Sequence, residues 1–530
     1  MKILTAAQMR EVDRRTIELG IPGLILMENA AHRVVELLLE KFSPLDRQRI
    51  VVLCGKGNNG GDGFAVARLL AIRFRPQALH VALTGSPDEL HGDAATNFHM
   101  LRAVGCEVGF EITPEMRRAT LVIDALLGTG LQGPARGVSA DWIHRINTGF
   151  PEARIVSVDI PSGLQSDSEK CSGEAVRADY TVTFTAPKPC QVLSPACLNV
   201  GELRMGAIGS PPELYEKDDS VWLSLSSPAA FRDLFQPRVA DSNKGTYGHA
   251  LIVAGARGKT GAAVMAGVGA LKAGAGLVTV ASAESAIMAI ASYAPEVMTE
   301  RLNETNAGSV SEQALENGSF EELVHKKTVV AIGPGMGGHQ DTVAFIRRLV
   351  NELKLPMVVD ADALNAIAGT ALKPQGARVL TPHPGEMARL SGMTVKEVEA
   401  DRVGLARRYA MEHKLTLVLK GWRTLVAHPD GRIAVNTSGN PAMAKGGSGD
   451  ILTGIVAAML AQYAGSGEAD DVARAVEAAV YLHGLAGDFA ARAMDEHTVL
   501  ATDTVAHLSD AFRYRAKDED GLTWICGVRE

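Results

Sequence analysis

Short β-branched apolar runs recur along this chain, each closed by a Gly- or Pro-containing loop and separated from the next by a helical pattern. In the first half they lie at 50–53, 121–123, 155–158 and 180–184. In the second they lie at 250–254, 277–281, 329–332, 357–359, 378–380 and 415–419. Strands that alternate with helices predict an α/β fold, a parallel sheet with helices on both faces. A hairpin is expected where Asp430-Gly431 separates 425–427 from 433–435. Ala-rich helices over 451–462 and 472–492 close the second series. Thr5 and Gln8 form a capping-box pattern that opens a first helix, and a second is expected over 27–42 with Val34, Val35, Leu38 and Leu39 inward.

With 530 residues the chain is too long for one ordinary core, so two domains are expected, over 1–215 and 228–512. Between them, at 209–240, the pattern lapses into Ser210-Pro211-Pro212, a charged stretch at 216–219 and Ser226-Ser227-Pro228. Apolar patches at Trp222 and Phe231 show that this is not loose linker throughout. No periodicity marks the chain from Lys517 onward, and no repeat of 20–50 residues is visible.

Glycine is abundant (54 residues) and aromatics are scarce, which suits tight strand–helix turns and not a stacking platform for single-stranded nucleic acid. A formal charge of −8 without a basic run argues against nucleic-acid or acidic-membrane partners. Arg10, Glu11 and Asp13 break the N-terminal apolar stretch, so it is no secretory signal, and no uncharged run reaches ~18 residues. The six cysteines, without a CxxC pair, are expected to be reduced thiols in a cytoplasmic protein. There is no HExxH and no paired Cys/His spacing of zinc type.

Three strand ends in the first half carry candidate chemistry. Cys54-Gly-Lys-Gly-Asn-Asn-Gly-Gly-Asp-Gly63 follows a strand and precedes a helix expected near Phe64. Its backbone N–H groups and the helix N-terminus suit a phosphate, although it is neither a Walker A loop nor GxGxxG. A plain tight turn is the alternative. Asp124 runs into the Gly-rich stretch 127–134, and Asp159 into Ile160-Pro161-Ser162-Gly163. Ligands bind at the carboxyl ends of strands in open α/β sheets, so the three loops read as one site. Asn59, Asp124 and the Ser162 region offer hard oxygen ligands for an alkali or alkaline-earth ion; helix capping is the alternative for each acid.

Met27-Glu28-Asn29-Ala30, the GNNGGDG loop, Asp124 with LLGTGLQG, and VDIPSG together resemble the NAD(P)H-hydrate epimerase domain, over roughly residues 1–215. The resemblance implies a Rossmann-like αβα sandwich. Asn58, Asn59, Gly60, Gly61 and Asp62, with Gly128, Thr129, Gly130, Leu131, Gln132, Gly133 and Pro134, would hold the dinucleotide. Asn59, Asp124 and Ser162 would hold a potassium ion, and Asp159 would contact the hydrate near its reacting carbon. An interaction module on the same fold is the alternative, and the presence of Asp124 and Asp159 favours catalysis.

In the second half the densest signal is Asn436-Thr-Ser-Gly-Asn-Pro-Ala-Met-Ala-Lys-Gly-Gly-Ser-Gly-Asp450, with a helix expected to open at Ile451. Bare N–H groups of Gly446, Gly447, Ser448 and Gly449 suit the anion of phosphoryl transfer, and Asp450 is placed to take a proton from a substrate hydroxyl. With KTGAA (259–263), KAGAGL (272–277), GPGMG (333–337), DADAL (360–364) and TPHPGE (381–386), the segment resembles the NAD(P)H-hydrate dehydratases of the ribokinase-like superfamily, over about 228–512. The resemblance implies a second αβα sandwich. Lys420, Gly421, Trp422, Arg423 and Thr424, with Asn440 and the Gly446–Gly449 loop, would cradle ADP or ATP. Ala262, Gly335, His383 and Asp450 would contact the hydrate. Ala442 departs from the Gly common after Asn-Pro in that family, but keeps its N–H. Glu386 is a weaker candidate for magnesium-linked work, and Mg²⁺ is expected because the transferred phosphoryl carries charge.

The expected activity is therefore cofactor repair. One domain epimerises NADHX and NADPHX and the other dehydrates one epimer, with ADP converted to AMP and phosphate. A small-molecule kinase, of hydroxymethylpyrimidine or thiazole type, tethered to a non-catalytic module is the alternative. A homo-oligomer is expected.

Overall fold

The computed structural model describes residues 1–231, 233–316, 318–465, 467–514 and 522–526. They form two compact units. The first holds Met1–Leu223 together with Leu522–Cys526, and the second holds residues 224–514.

In the first unit the chain lays down β1 (Arg49–Cys54), β2 (Ala78–Leu83), β3 (Val108–Gly109), β4 (Leu121–Ala125), β5 (Arg154–Val158), β6 (Tyr180–Phe184) and β7 (Glu202–Gly206). They pair in parallel in the order β7-β6-β5-β4-β1-β2-β3. Alternate residues of β1 show why its run is apolar throughout. Ile50, Val52 and Cys54 face one core with helices Gly23–Phe42 and Asn58–Arg73, while Val51 and Leu53 face another with Trp142, Ile143 and Ile146. A strand covered on both faces has no polar side to show.

Leu522–Cys526 adds antiparallel to β7 as an edge strand, with Leu522, Ile525 and Cys526 buried. The stretch after Lys517, featureless in sequence, thus contains a strand; 517–521 and 527–530 lie outside the described residues. In chain order the second unit is inserted within the first.

The second unit builds on β8 (Leu223–Leu225), β9 (His249–Val253), β10 (Leu277–Ala283), β11 (Met298–Leu302), β12 (Val329–Ile332), β13 (Met357–Val359), β14 (Arg378–Leu380), β15 (Thr416–Leu419), β16 (Leu425–Ala427) and β17 (Ile433–Val435). Their order is β11-β10-β9-β12-β13-β14-β15-β16-β17-β8. The expected hairpin is β16–β17, antiparallel, and β15 pairs antiparallel with β16, so the parallel sheet has an antiparallel margin. Helices Thr260–Lys272, Ser448–Tyr463 and Ala469–Ala493 pack on one face, around Ile252, Val280, Ala331 and Val358. The alternate residues Leu251, Val330, Ile332 and Val359 are buried too, as a doubly covered sheet requires.

Several expected boundaries move. The Thr5–Gln8 capping box is present, but the second helix begins at Gly23 and not at Met27. Val34, Val35 and Leu38 are buried while Leu39 is only partly so. The lapse at 209–240 contains the strand β8. More consequential for the site, the helix expected near Phe64 begins at Asn58, and the one expected at Ile451 begins at Ser448. All six cysteines are free thiols. Among the described residues, no helix is long and apolar enough to cross a membrane.

Candidate active sites

In the first unit a cleft of ≈ 690 Å³ lies over the carboxyl ends of the strands. It is lined by Lys56–Asn59 and Asp62 from the end of β1, by Leu126–Gln132 after β4, and by Asp159 after β5. The three loops singled out in the sequence do converge. Gly133, Pro134 and Ser162 are not among the lining residues.

The glycines of GNNGGDG act here as helix residues in close contact. A Cβ on Gly60 would stand 1.8 Å from the Gly55 carbonyl oxygen, and one on Gly63 would stand 2.6 Å from Ala125 Cβ. The motif lets the helix start directly against β1 and β4, with its first N–H groups at the cleft floor. Asn59 is buried in that first turn, and neither its Oδ1 nor its Nδ2 has a partner among the described residues. Glu28 and Asn29 do structural work: Glu28 pairs with Arg68, and Asn29 Nδ2 donates to the Ile208 carbonyl at 2.7 Å.

Asp124 is fully buried beneath the third loop. It accepts from Ser162 N (2.8 Å), Ser162 Oγ (2.5 Å), Ser157 Oγ (2.8 Å) and Leu126 N (3.3 Å). Burial pushes its carboxyl above the usual range, against these four bonds. Ser162 Oγ also accepts from Leu127 N at 2.9 Å, so one hydroxyl ties the second loop to the third.

Asp159 sits at φ +61°, an unusual left-handed conformation for a residue with a side chain. Lys188 Nζ, with no exposed surface, donates to Asp159 Oδ1 at 2.5 Å, to Thr183 Oγ1 at 2.8 Å and to the Phe184 carbonyl at 3.1 Å. Gln191 Nε2 donates to the Asp159 carbonyl at 2.5 Å. Asp62 and Asp13 complete the group. Burial, then the charges of Asp159 and Asp13, drives Asp62 well above an ordinary carboxyl, against Lys188. Burial likewise raises Asp13. Sequence reasoning missed Lys188 and Asp13. The only signal was a lysine between two prolines just past β6, and an acid facing inward on the first helix.

In the second unit Asp450 occupies the first turn of helix Ser448–Tyr463, at the ends of the parallel strands. Gly447 precedes it at φ +96°, and a Cβ there would stand 2.4 Å from Met265 Sδ, so the turn admits only glycine. Lys420, after β15, reaches Asp360 Oδ1 at 2.9 Å and Glu386 Oε2 at 3.8 Å. Thr453 Oγ1 donates to Asp360 Oδ2 at 2.7 Å. Burial, then the charge of Asp360, raises Asp450 to about 6, with Lys420 opposing. Burial works against the Lys420 ammonium, but Asp360 and Glu386 outweigh it and hold its pKa above ordinary. Asp360, Lys420 and Thr453 thus form a buried frame around Asp450; only Lys420 had been singled out, and only for the nucleotide loop.

Ala262 and Gly335 are brought together: a Cβ on Gly335 would lie 3.0 Å from Ala262 Cβ. Asp362 beside them takes Gly337 N at 2.8 Å and Lys259 Nζ at 3.4 Å. Asn440 is held by Asp488, which accepts from Asn440 Nδ2 at 2.8 Å and from Gly439 N at 3.0 Å. Gly421 and Arg423 take positive φ, Arg423 lies over the Trp422 ring, and Thr424 Oγ1 bonds to the Gly421 carbonyl.

His383 is half-exposed and caps helix Pro384–Ser391. Its Nδ1 accepts from Gly385 N and Glu386 N, while Glu386 returns a bond to His383 N at 2.8 Å. With Nδ1 accepting, the ring proton belongs on Nε2. His383 thus caps the helix through Nδ1, and its Nε2 lies 3.5 Å from Glu386 Oε1.

The second half matches a family model described as NAD(P)H-hydrate dehydratase over residues 250–511, and the first matches one described as YjeF-related protein N-terminus over 23–190. The bifunctional NAD(P)H-hydrate repair enzyme Nnr of Moorella thermoacetica is 41% identical over 526 residues, covering 97% of both chains. That of Escherichia coli is 35% identical, over 95% of this chain and 92% of its own. The ADP/ATP-dependent NAD(P)H-hydrate dehydratase of Bacillus subtilis, co-crystallised with ATP and Mg²⁺, is 32% identical with a TM-score of 0.46, over 55% of this chain and 97% of its own.

Proposed function

The chain belongs to the family of bifunctional NAD(P)H-hydrate repair enzymes, and we propose that its two strand-end sites divide that work between the residues described above. It is an enzyme with an epimerase unit and a nucleotide-dependent dehydratase unit; the tethered-kinase reading is not favoured.

In the first cleft Asn58–Asp62 and Gly128–Pro134 bind the dinucleotide, and Asp159 meets the hydrate at its hydroxyl-bearing ring carbon. Asn59, Asp124 and Ser162 hold a potassium ion. The buried Asn59 amide, without a partner among the described residues, is what a hard cation would satisfy, beside an Asp124 carboxyl that already accepts four hydrogen bonds. A bound ion would supply fixed positive charge at the strand ends.

In the second unit Lys420–Thr424, Asn440 and Gly446–Gly449 hold the nucleotide, with ADP as the co-substrate. Ala262, Gly335 and His383 contact the hydrate. Water is a poor leaving group from the hydrated ring. Asp450 takes the proton of the ring hydroxyl as its oxygen attacks the terminal phosphoryl. Phosphate then departs with the C–O electron pair, a proton leaves the adjacent ring carbon, and the double bond returns. Among the described residues no group of three acids or histidines could hold a metal by itself, so Mg²⁺ would be held chiefly by the nucleotide's phosphates, near Asp450. Magnesium supplies neutralisation of the phosphoryl charge.

The observation that carries this reading is Asp450 at a helix N-terminus, with its pKa near working pH. The test is incubation with mixed hydrate epimers and ADP. Recovery of reduced-cofactor absorbance with release of AMP and phosphate is expected. Accumulation of a stable phosphorylated product would restore the kinase reading.

A further inference from the structure

In the epimerase cleft, two carboxyls face the same space in unlike surroundings. Asp159 is paired at 2.5 Å with the wholly buried Lys188, whose other bonds, to Thr183 and the Phe184 carbonyl, leave the ammonium one fixed position. Asp62 also lines the cleft, in the first turn of helix Asn58–Arg73, and it has no such cation. The influences on it are burial and the charges of Asp159, Asp13 and Lys188, with no hydrogen bond among them. Arg10, Asp13, Lys56, Asp93, Asp159 and Lys188 are the other charged groups on the cleft wall. When environments set two neighbouring carboxyls apart, one is kept as acid and the other as base.

We propose that Asp62 is the acid that protonates the departing ring hydroxyl, and that Asp159, positioned by Lys188, is the base that takes the proton of the incoming water. This rests on the epimerase reading of the cleft. The step balances. The C–O pair leaves with oxygen, the ring nitrogen lone pair forms a C=N bond, and the Asp62 proton makes the leaving group water. Water then adds to the opposite face of that carbon, its proton passes to Asp159, and the π pair returns to nitrogen. The carboxyls end with exchanged protonation, which is the state that runs the reverse reaction, and exchange with solvent in the open cleft restores the first. Asp62 and Asp159 touch substrate; Lys188 is a positioning residue.

The experiment uses the full chain and one purified epimer of hydrated NADH, with the two epimers separated and quantified over time. Asp62→Asn is expected to lower kcat for epimerisation by ~10²-fold or more while KM stays within about 3-fold. The fall in rate at high pH, where Asp62 loses its proton, is expected to vanish in that variant. Lys188→Met is expected to lower kcat without raising KM, and Lys188→Arg to regain part of it. A first-unit calorimetric transition at the parent temperature reports that the epimerase unit is folded, and ADP-dependent dehydration reports the same of the second unit. A kcat for Asp62→Asn within about 3-fold of the parent, or a loss confined to KM, overturns the assignment of the acid. Full epimerisation by both Asp62→Asn and Asp159→Asn would instead remove the reaction from this cleft.

Discussion

At the scale of single residues, burial raises the carboxyls of both sites. Asp450 is raised to about 6 by burial and by Asp360, so it is half ionised near pH 6, mostly ionised at neutrality, and can accept a proton. A base must be unprotonated to act. Dehydration kcat is therefore expected to rise with pH through about 6 and to level above it, which a pH–rate profile at saturating ADP checks. Asp450→Asn keeps size and removes the base. Turnover should fall by ~10²–10⁴-fold, while ADP affinity moves by less than about tenfold, or ~1.4 kcal/mol, since the Gly446–Gly449 amides remain. Turnover within a few-fold of the parent would reduce Asp450 to a helix-start residue. In the epimerase cleft, Asn59 has a buried amide with no partner among the described residues. A crystal grown in ample potassium should show a monovalent ion beside Asn59, Asp124 and Ser162, and water alone there would refute the assignment. Asp124, Asp159 and Asp450 could be singled out in sequence because each ends a strand or opens a helix beside a Gly-containing loop. Lys188 and Asp13 had no such marker; Asp360 follows an expected strand within DADAL, but its pairing with Lys420 joins residues distant in the chain.

At the scale of elements, the two glycine motifs do more packing than their loop-like composition suggests. GNNGGDG and GGSGD both belong to helix first turns; the first rests on β1 and β4 through Gly63, and the second packs against Met265 through Gly447. Sequence periodicity did not reveal β2, β3, β7, β8 or β11, nor the strand Leu522–Cys526 at the sheet edge. Five residues with three buried side chains at an edge resemble many loops, and only pairing with β7 distinguishes them. Stopping the chain after Tyr514 is expected to destabilise the first unit by a net ~1–3 kcal/mol, the apolar burial being largely offset by ordering entropy. At about 2–4 °C per kcal/mol, calorimetry should show its Tm falling by roughly 2–12 °C, with dehydration intact at moderate temperature. An unchanged first-unit transition would mean that the strand adds no stability.

At the scale of the molecule, each unit has its own doubly covered sheet, core and strand-end site. A fragment covering residues 220–516, which keeps β8, should therefore fold and dehydrate one epimer only. Equally fast conversion of both epimers, beyond their spontaneous interconversion, would undo the division of labour. The sequence by itself determined the α/β class, the buried central strands and the two candidate loop clusters. Those features follow from local periodicity and turn chemistry, which each segment carries alone. It also carried the family resemblance, through motifs whose residues lie side by side. Tertiary structure alone decided that the C-terminal strand returns to the first sheet, and that glycine loops are helix starts. It alone showed that Lys188 holds Asp159 and that Asp360 and Lys420 frame Asp450. Each of these depends on an atom hundreds or tens of residues away, and neither hydrogen-bond pairing nor desolvation exists until the chain has brought those atoms together.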